Sequence, residues 1–263
     1  TFPKSDYVLK EGRPVGLVRG LTADGFYTTD DFTYENGVYT LKEGVADVSS
    51  AVFPNYHLHN GMNERPAGQL AYPGMAKFKD LNDDGIINDD DVDVIGDMTP
   101  VHTGGFNINA TYKNFDLGLY FNWSYGNEIY NVNKLAALYG YKEGAVYENK
   151  LSIVKDCYKI YDVVNGELVA LTTPEQLNAA NANAKLPLAY SENGYVSTLG
   201  IEDGSYLRLN TLTLGYTLPK SMLQKAGISN LRVYGSIYNV FTITGYSGID
   251  AEVSTSTSTK TYP

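Results

Sequence analysis

Between residues 105 and 124, apolar and polar positions alternate. Phe106, Ile108, Ala110 and Tyr112 share one parity, while Asn107, Asn109 and Thr111 hold the other. After a short polar turn, Lys113-Asn114, the residues Phe115, Leu117, Leu119, Phe121 and Trp123 alternate with Asp116, Gly118, Tyr120, Asn122 and Ser124. Alternation of this kind fits a strand and not a helix. It predicts a hairpin of Gly105–Tyr112 and Phe115–Ser124 with one apolar and one polar face. A third strand is predicted over Ser205–Thr217. Its apolar series runs Leu207, Leu209, then Leu212, Leu214, Tyr216, and the slip near Asn210-Thr211 predicts a β-bulge. Pro219–Gly227 reads as a short helix with Pro at its start and Gly as its stop. Asn230–Thr242 reads as a fourth strand with poor alternation.

The rest of the chain carries little sustained periodicity. Thr1–Gly104 is punctuated by Gly, Asp, Asn and Pro; Tyr125–Gly204 offers a short helix over Asn131–Leu138 and a polar tract around Asn178–Lys185. Short connections at Lys113-Asn114 and Leu218–Ser229 contrast with very long ones elsewhere. Outer-membrane β-barrels have this asymmetry, with short periplasmic turns and long outer loops. A soluble antiparallel sandwich with large insertions fits the same pattern, and the residues alone leave both open.

Composition narrows the function. The 263 residues carry 20 Lys+Arg against 30 Asp+Glu, a net charge of -10 and a pI near 4.7. Nucleic acid is not an expected partner, because binding it needs clustered cations. One cysteine excludes an internal disulfide framework and a Cys-based zinc site. No apolar run approaches the roughly 20 residues of a membrane helix, which leaves membrane strands open. The 23 tyrosines matter here. Tyr112, Phe115, Trp123, Tyr125, Tyr206, Tyr216, Tyr238 and Phe241 are read as lying at the ends of the predicted strands. They would form interfacial girdles in a barrel, and core or sugar-stacking platforms in a soluble protein. Thr1 is not Met and no signal peptide follows, so the chain is expected to be part of a longer polypeptide.

One motif has specific chemistry. Asp80–Asp91 reads DLNDDGIINDDD and matches the calcium-loop spacing. Asp80, Asn82 and Asp84 take positions 1, 3 and 5, and Gly85 takes the sharp turn at position 6. Ile86 offers its carbonyl, Ile87 is the apolar anchor, Asn88 binds directly or through water, and Asp91 closes the loop. Asp at the last position, where sensors use Glu, predicts a structural Ca2+ site; the alternative is a solvated acidic turn. Other candidates are weaker. His57 and His59 could pair as ligands but read better as an exposed loop, His102 reads as structural, and Cys157 as an inert thiol. No G-x-S-x-G, phosphate loop or H-E-x-x-H is present, so no catalytic residues are nominated and the protein is not expected to be an enzyme.

Several blocks then carry a resemblance. They are Tyr72-Pro73-Gly74, Phe78 through Ile87, Ile95-Gly96, Gly104-Gly105-Phe106-Asn107 and Tyr112-Lys113-Asn114-Phe115-Asp116-Leu117. Downstream come Tyr125 through Asn131, Tyr206 through Tyr216, Ile228 through Tyr234 and Asn239-Val240-Phe241-Thr242. Together, in this order, they closely resemble the C-terminal part of SusC/RagA-type TonB-dependent outer-membrane transporters. The resemblance implies an all-β fold: C-terminal strands of a large transmembrane antiparallel β-barrel, 22-stranded in the family, with long extracellular loops. It implies import of glycan fragments or peptides across the outer membrane of a Gram-negative bacterium. TonB and a SusD-like surface lipoprotein are the implied protein partners, outer-membrane lipid the implied surroundings, and an oligosaccharide or peptide the implied substrate. On this reading 1–104 is an extracellular loop region holding the calcium loop 80–91, and 105–125 is a barrel hairpin. A long extracellular loop spans 126–204. A second hairpin spans 205–242 with a helical periplasmic turn at 218–229, and 243–263 leads outward. The plug and the TonB-contacting region are expected upstream, and a closing strand after Pro263. A soluble or surface-attached calcium-stabilised glycan-binding β module is the competing reading. The substrate-contacting residues are unknown at this stage.

Overall fold

The computed structural model describes residues 7–8, 11–52, 65–139, 151–188 and 196–252. The chain divides into two compact units, one of residues 1–96 with 131–201, the other of residues 97–130 with 202–263.

Among the described residues the second unit contains four long strands: β1 (His102–Tyr112), β2 (Phe115–Tyr125), β3 (Tyr206–Thr217) and β4 (Arg232–Thr244). They form one antiparallel sheet in the order β1-β2-β3-β4. Tyr112 pairs with Phe115, so Lys113 and Asn114 alone make the first turn, with Lys113 in the left-handed region at φ 52°. The β3–β4 connection is a helical turn, Lys220–Leu223 continued by Gln224–Ala226, and Gly227 stops it at φ 67°. Leu223 is buried beneath this turn, and the Leu218 N–H donates to the Leu231 carbonyl at 2.9 Å. The bulge expected near Asn210 is present: Phe121 pairs with Leu209 and Tyr120 with Thr211, leaving Asn210 as the extra residue. In β4 two residues, Asn239 and Val240, stand in the same row.

The register gives the sheet two distinct faces. One carries Phe106, Ile108, Tyr112, Phe115, Leu214, Val233, Ile237, Phe241 and Ile243, between 43% and 71% exposed. Aromatic side chains mark both ends of this apolar face. At the turn end, Phe115 and Tyr216 sit 4.7 Å apart. At the far end, His102 stacks on Tyr125 at 5.1 Å and accepts a hydrogen bond from Trp123 Nε1 at 3.0 Å. Strands of 11 residues, rising about 3.3 Å per residue and tilted about 40°, span about 25 Å between their end residues, the height of an outer-membrane apolar band. Two aromatics depart from the girdle expectation. Tyr206 and Tyr238 pair with Ser124 and Thr211 and so lie on the polar face. For both the reason is parity, Tyr206 with Arg208 on β3 and Tyr238 with Tyr234 and Ser236 on β4.

The first unit is built differently. Scattered aromatics from a stretch without periodicity converge on one core: Tyr27, Tyr39, Tyr72, Met75 and Phe78 are almost fully buried, with Leu21, Ile87 and Leu177. Ring contacts link Tyr27 to Phe32 at 6.0 Å, Phe32 to Tyr39 at 5.9 Å and Tyr39 to Tyr72 at 5.5 Å. Buried phenols need acceptors. Tyr27 donates to the Ala46 carbonyl at 2.6 Å and Tyr39 to the Thr172 carbonyl at 3.0 Å. Small hairpins, Phe32–Glu35 with Val38–Leu41 and Tyr161–Val164 with Glu167–Ala170, add local order. The helix Pro174–Asn181 starts at a capping box of Thr173 and Gln176 and buries Leu177. The helix expected at Asn131–Leu138 spans Val132–Tyr139. No helix among the described residues is long and apolar enough to cross a membrane, which says nothing about strands.

Candidate functional site

The predicted calcium ligands lie in one loop of the first unit, and its anchor is clear. Ile86-Ile87 pairs in parallel with Asp47-Val48, and Ile87 is fully buried in the aromatic core. Gly85 turns the chain at φ 84°, with nothing within 4 Å of where a Cβ would sit. Asp80 accepts from the backbone N–H groups of Asp84 and Gly85, at 3.3 and 2.8 Å. Asp84 Oδ1 accepts from the Ile86 N–H at 2.8 Å, and its Oδ2 accepts from Asn82 Nδ2 at 3.0 Å. Asn88 caps the turn Asp89–Asp91, accepting from the Asp90 N–H at 2.7 Å and donating to the Ile86 carbonyl at 3.1 Å. Asp91 has no exposure; its two oxygens accept from the N–H groups of Leu81 and Asn88 at 2.7 and 2.8 Å. Among the described residues, no three His, Cys, Asp or Glu side chains stand together as a preformed metal site. The oxygen donors are those a hard cation takes, and each carboxylate oxygen has a second lone pair beyond the one given to an N–H.

Other sequence candidates settle simply. His57 and His59 lie outside the described residues. His102 sits in the aromatic cluster at the end of the apolar face. Cys157 is buried, and burial, with Asp156 adding, pushes its thiol up to about 11.

The polar face of the sheet holds residues that sequence reasoning missed. Asp116 on β2 and Arg232 on β4 form an ion pair that reaches across β3, with Arg232 Nε donating to Asp116 Oδ1 at 2.9 Å. Gly215 lies beneath it. A Cβ there would come within 2.5 Å of both Arg232 Nη2 and Asp116 Oδ1. Toward the other end, Arg208 is 9% exposed and pairs with Asp250 and with Glu252, the latter at 2.9 Å. The Tyr206 ring lies under its guanidinium at 5.6 Å, and the Tyr206 hydroxyl accepts from Asn122 Nδ2 at 3.3 Å. These partners are 116 and 42 residues apart in sequence, so no local signal announces them.

An exposed apolar band edged by aromatics on one face, with paired charges and polar groups on the other, defines the wall of an outer-membrane β-barrel. Comparison with known proteins agrees. The sequence matches no family model. It is 31% identical over 248 residues to TonB-dependent receptor P3 of Formosa agariphila, covering 93% of this chain and 19% of the relative. It is 33% identical over 113 residues to TonB-dependent receptor SusC of Bacteroides thetaiotaomicron, covering 40% of this chain and 11% of the relative. Among solved structures, the RagAB peptide transporter matches with a TM-score of 0.59 at 20% identity, over 95% of this chain and 21% of that one. The RagAB peptide importer in its closed-closed state matches with a TM-score of 0.58 at 19% identity, over 95% of this chain and 22% of that one. The chain belongs to the SusC-type TonB-dependent receptors, outer-membrane proteins of Gram-negative bacteria. It spans about a fifth of the length of TonB-dependent receptor P3.

Proposed function

We propose that this chain forms C-terminal barrel strands of a transporter that imports oligosaccharides or peptides across the outer membrane, without catalysis. TonB energises the import and a SusD-like surface lipoprotein assists capture. The observation that carries the reading is the two-faced sheet. Its apolar face suits lipid at the height of a membrane band, and its polar face suits a water-filled interior. The relatives' names point the same way. The exposed band weighs against the soluble binding module, since a face of this size exposed to water favours aggregation. Topology follows from connection length: Lys113-Asn114 and the turn before β4 are periplasmic, and Asp93 is extracellular. In the full-length transporter, a thiol reagent that cannot cross the outer membrane should label Asp93→Cys in intact cells and spare Asn114→Cys. The opposite pattern would refute the topology. Loss of substrate uptake on deleting TonB tests the import itself; uptake that persists contradicts it.

The 80–91 loop is, on this reading, a structural calcium site that stiffens the extracellular side. Asp80, Asn82, Asp84 and Asp91 supply side-chain oxygens, Ile86 its carbonyl, and Asn88 a direct or water-bridged contact. The loop's internal hydrogen bonds and the buried Ile87 anchor support it, because they already bend the chain as the motif requires. Calorimetric titration of the full-length protein with calcium should release heat that disappears in Asp84→Ala. A wild type that gives no heat sinks the idea.

A further inference from the structure

The strand register arranges the inward positions in rows that cross all four strands. One row is Asn107, Tyr120, Thr211 and Tyr238; the next is Asn109, Gly118, Thr213 and Ser236. Neither row contains a charge. The rows on either side hold the inward charges nearest them, and the chain itself meets each: Arg208 with Asp250 and Glu252 on one side, Asp116 with Arg232 on the other. The wall is therefore a belt of amide, hydroxyl and phenol groups between two ion-pair rows, one balanced and one with a single carboxylate in excess.

Two rings in the belt are available for contact. Tyr120 is 42% exposed and Tyr238 69%; Tyr234, nearby on β4, has Arg232 over its ring at 4.9 Å. Tyr120 leans over Gly105 of β1, where a Cβ would meet its Oη at 3.4 Å and its ring at 3.5 Å. Tyr120 and Tyr238 flank Thr211 two strands apart, roughly 10 Å from a strand spacing of about 4.8 Å, so a ligand about two sugar units long reaches both. The Asn210 bulge on β3 turns Thr211 into this row, and the Asn239-Val240 insertion on β4 lies beside it without altering the inward parity of Tyr238. Bulges of this kind re-aim side chains and gather at functional sites.

We infer that this belt is a contact site for an uncharged oligosaccharide, an inference that rests on the import reading above. Sugar hydroxyls exchange hydrogen bonds with Asn107, Asn109, Thr211, Thr213 and Ser236, and the C–H faces of sugar rings pack on Tyr120 and Tyr238. A carboxylated sugar, or the C-terminal carboxylate of a peptide, would shed water along this belt with no unpaired positive charge to meet it.

The test uses the full-length transporter with its lipoprotein in proteoliposomes, exposed separately to three pools: neutral hexose and pentose oligosaccharides, oligogalacturonides, and tri- to pentapeptides. Binding of the neutral pool is expected to exceed that of the other two. The double variant Tyr120→Ala/Tyr238→Ala should weaken it about tenfold, the loss of two ring contacts, while Tyr120→Phe/Tyr238→Phe retains it. Heat-dependent gel migration confirms that both variants fold as barrels, and the Phe pair serves as readout should the Ala pair not fold. Preference for peptides or oligogalacturonides overturns the inference and leaves import standing, as does neutral binding unchanged in a folded Ala pair or lost in a folded Phe pair. Binding of none of the pools overturns import and inference together.

Discussion

Replacing Asp91 by Asn removes one acceptor from the most enclosed carboxylate of the acidic loop and changes almost no volume. Both Asp91 oxygens are engaged, with the N–H groups of Leu81 and Asn88. An amide has one acceptor oxygen, so whichever way it turns, its NH2 faces one of those two donors. A hydrogen bond to a charged group contributes about 1.5–3 kcal/mol, and leaving a donor unsatisfied costs about 1–3 kcal/mol. Because the two terms describe the same bond, and Leu81 is itself half exposed, we expect about 2 kcal/mol of local destabilisation. With 1.4 kcal/mol per factor of ten, exchange of the Leu81 and Asn88 amides should accelerate about thirtyfold. Hydrogen–deuterium exchange of the peptide spanning 80–91, in the full-length protein with a calcium chelator, isolates this effect from ion binding. Asp83→Asn is the control: Asp83 is exposed and already at φ 58°, a backbone that Asn accepts, so exchange should not change. If Leu81 and Asn88 exchange at wild-type rates in Asp91→Asn, the Asp91 carboxylate does not hold the loop and the reasoning fails.

Three further outcomes are expected. Gly215→Ala should lower the temperature at which the full-length barrel loses its compact gel migration, because the new Cβ displaces the Asp116–Arg232 pair; Gly235→Ala, with open space at its Cβ, should not. The Asp31 carboxyl is half-buried, which alone would raise its pKa, but bonds from Lys77 and the Thr28 N–H outweigh this and hold it below its ordinary value of 3.8. A depressed folded pKa stabilises above the unfolded value and is lost as pH falls through the folded one. Exchange of the Thr28–Asp31 turn should therefore quicken below about pH 3.8, and Lys77→Met, which removes a cause of the lowering, should shrink that acceleration. Cys157 should resist maleimide at pH 7.5 in the native protein and react once it is denatured, since the thiol is buried and its pKa lies near 11.

How far the sequence revealed this molecule depended on how local each determinant is. The β1–β2 hairpin was legible because Phe115, Leu117, Leu119, Phe121 and Trp123 alternate without interruption. The bulge at Asn210 was legible as a slip in the leucine series. Strand β4 was harder, and not because its apolar phase breaks. Val233, Ile237, Phe241 and Ile243 keep one parity across the two-residue insertion at Asn239-Val240. The alternation is obscured because Tyr234 and Tyr238 fill inward positions, and an aromatic at an inward position reads as apolar in any one-dimensional pattern. The first unit concealed its order for two reasons. Its core is assembled from residues as distant as Tyr27, Tyr72, Tyr158 and Leu177, which no window captures. Its hairpins were announced only by Asn36-Gly37 and Asn165-Gly166, pairs that adopt positive φ at both positions and are strong short-range turn signals. The same distinction separates the two candidate sites. The 80–91 loop is contiguous, so its ligand set could be read directly, and what folding adds is the Ile87 anchor. The inward belt is the reverse. Asn107, Tyr120, Thr211 and Tyr238 mean nothing as separate positions. They become one row only when the register between four strands, including both bulges, is known. A one-residue slip in any strand would send its member of the row to the opposite face. The belt is thus a property of the pairing, and substitutions that alter the bulges should disturb it as surely as substitutions of the tyrosines themselves.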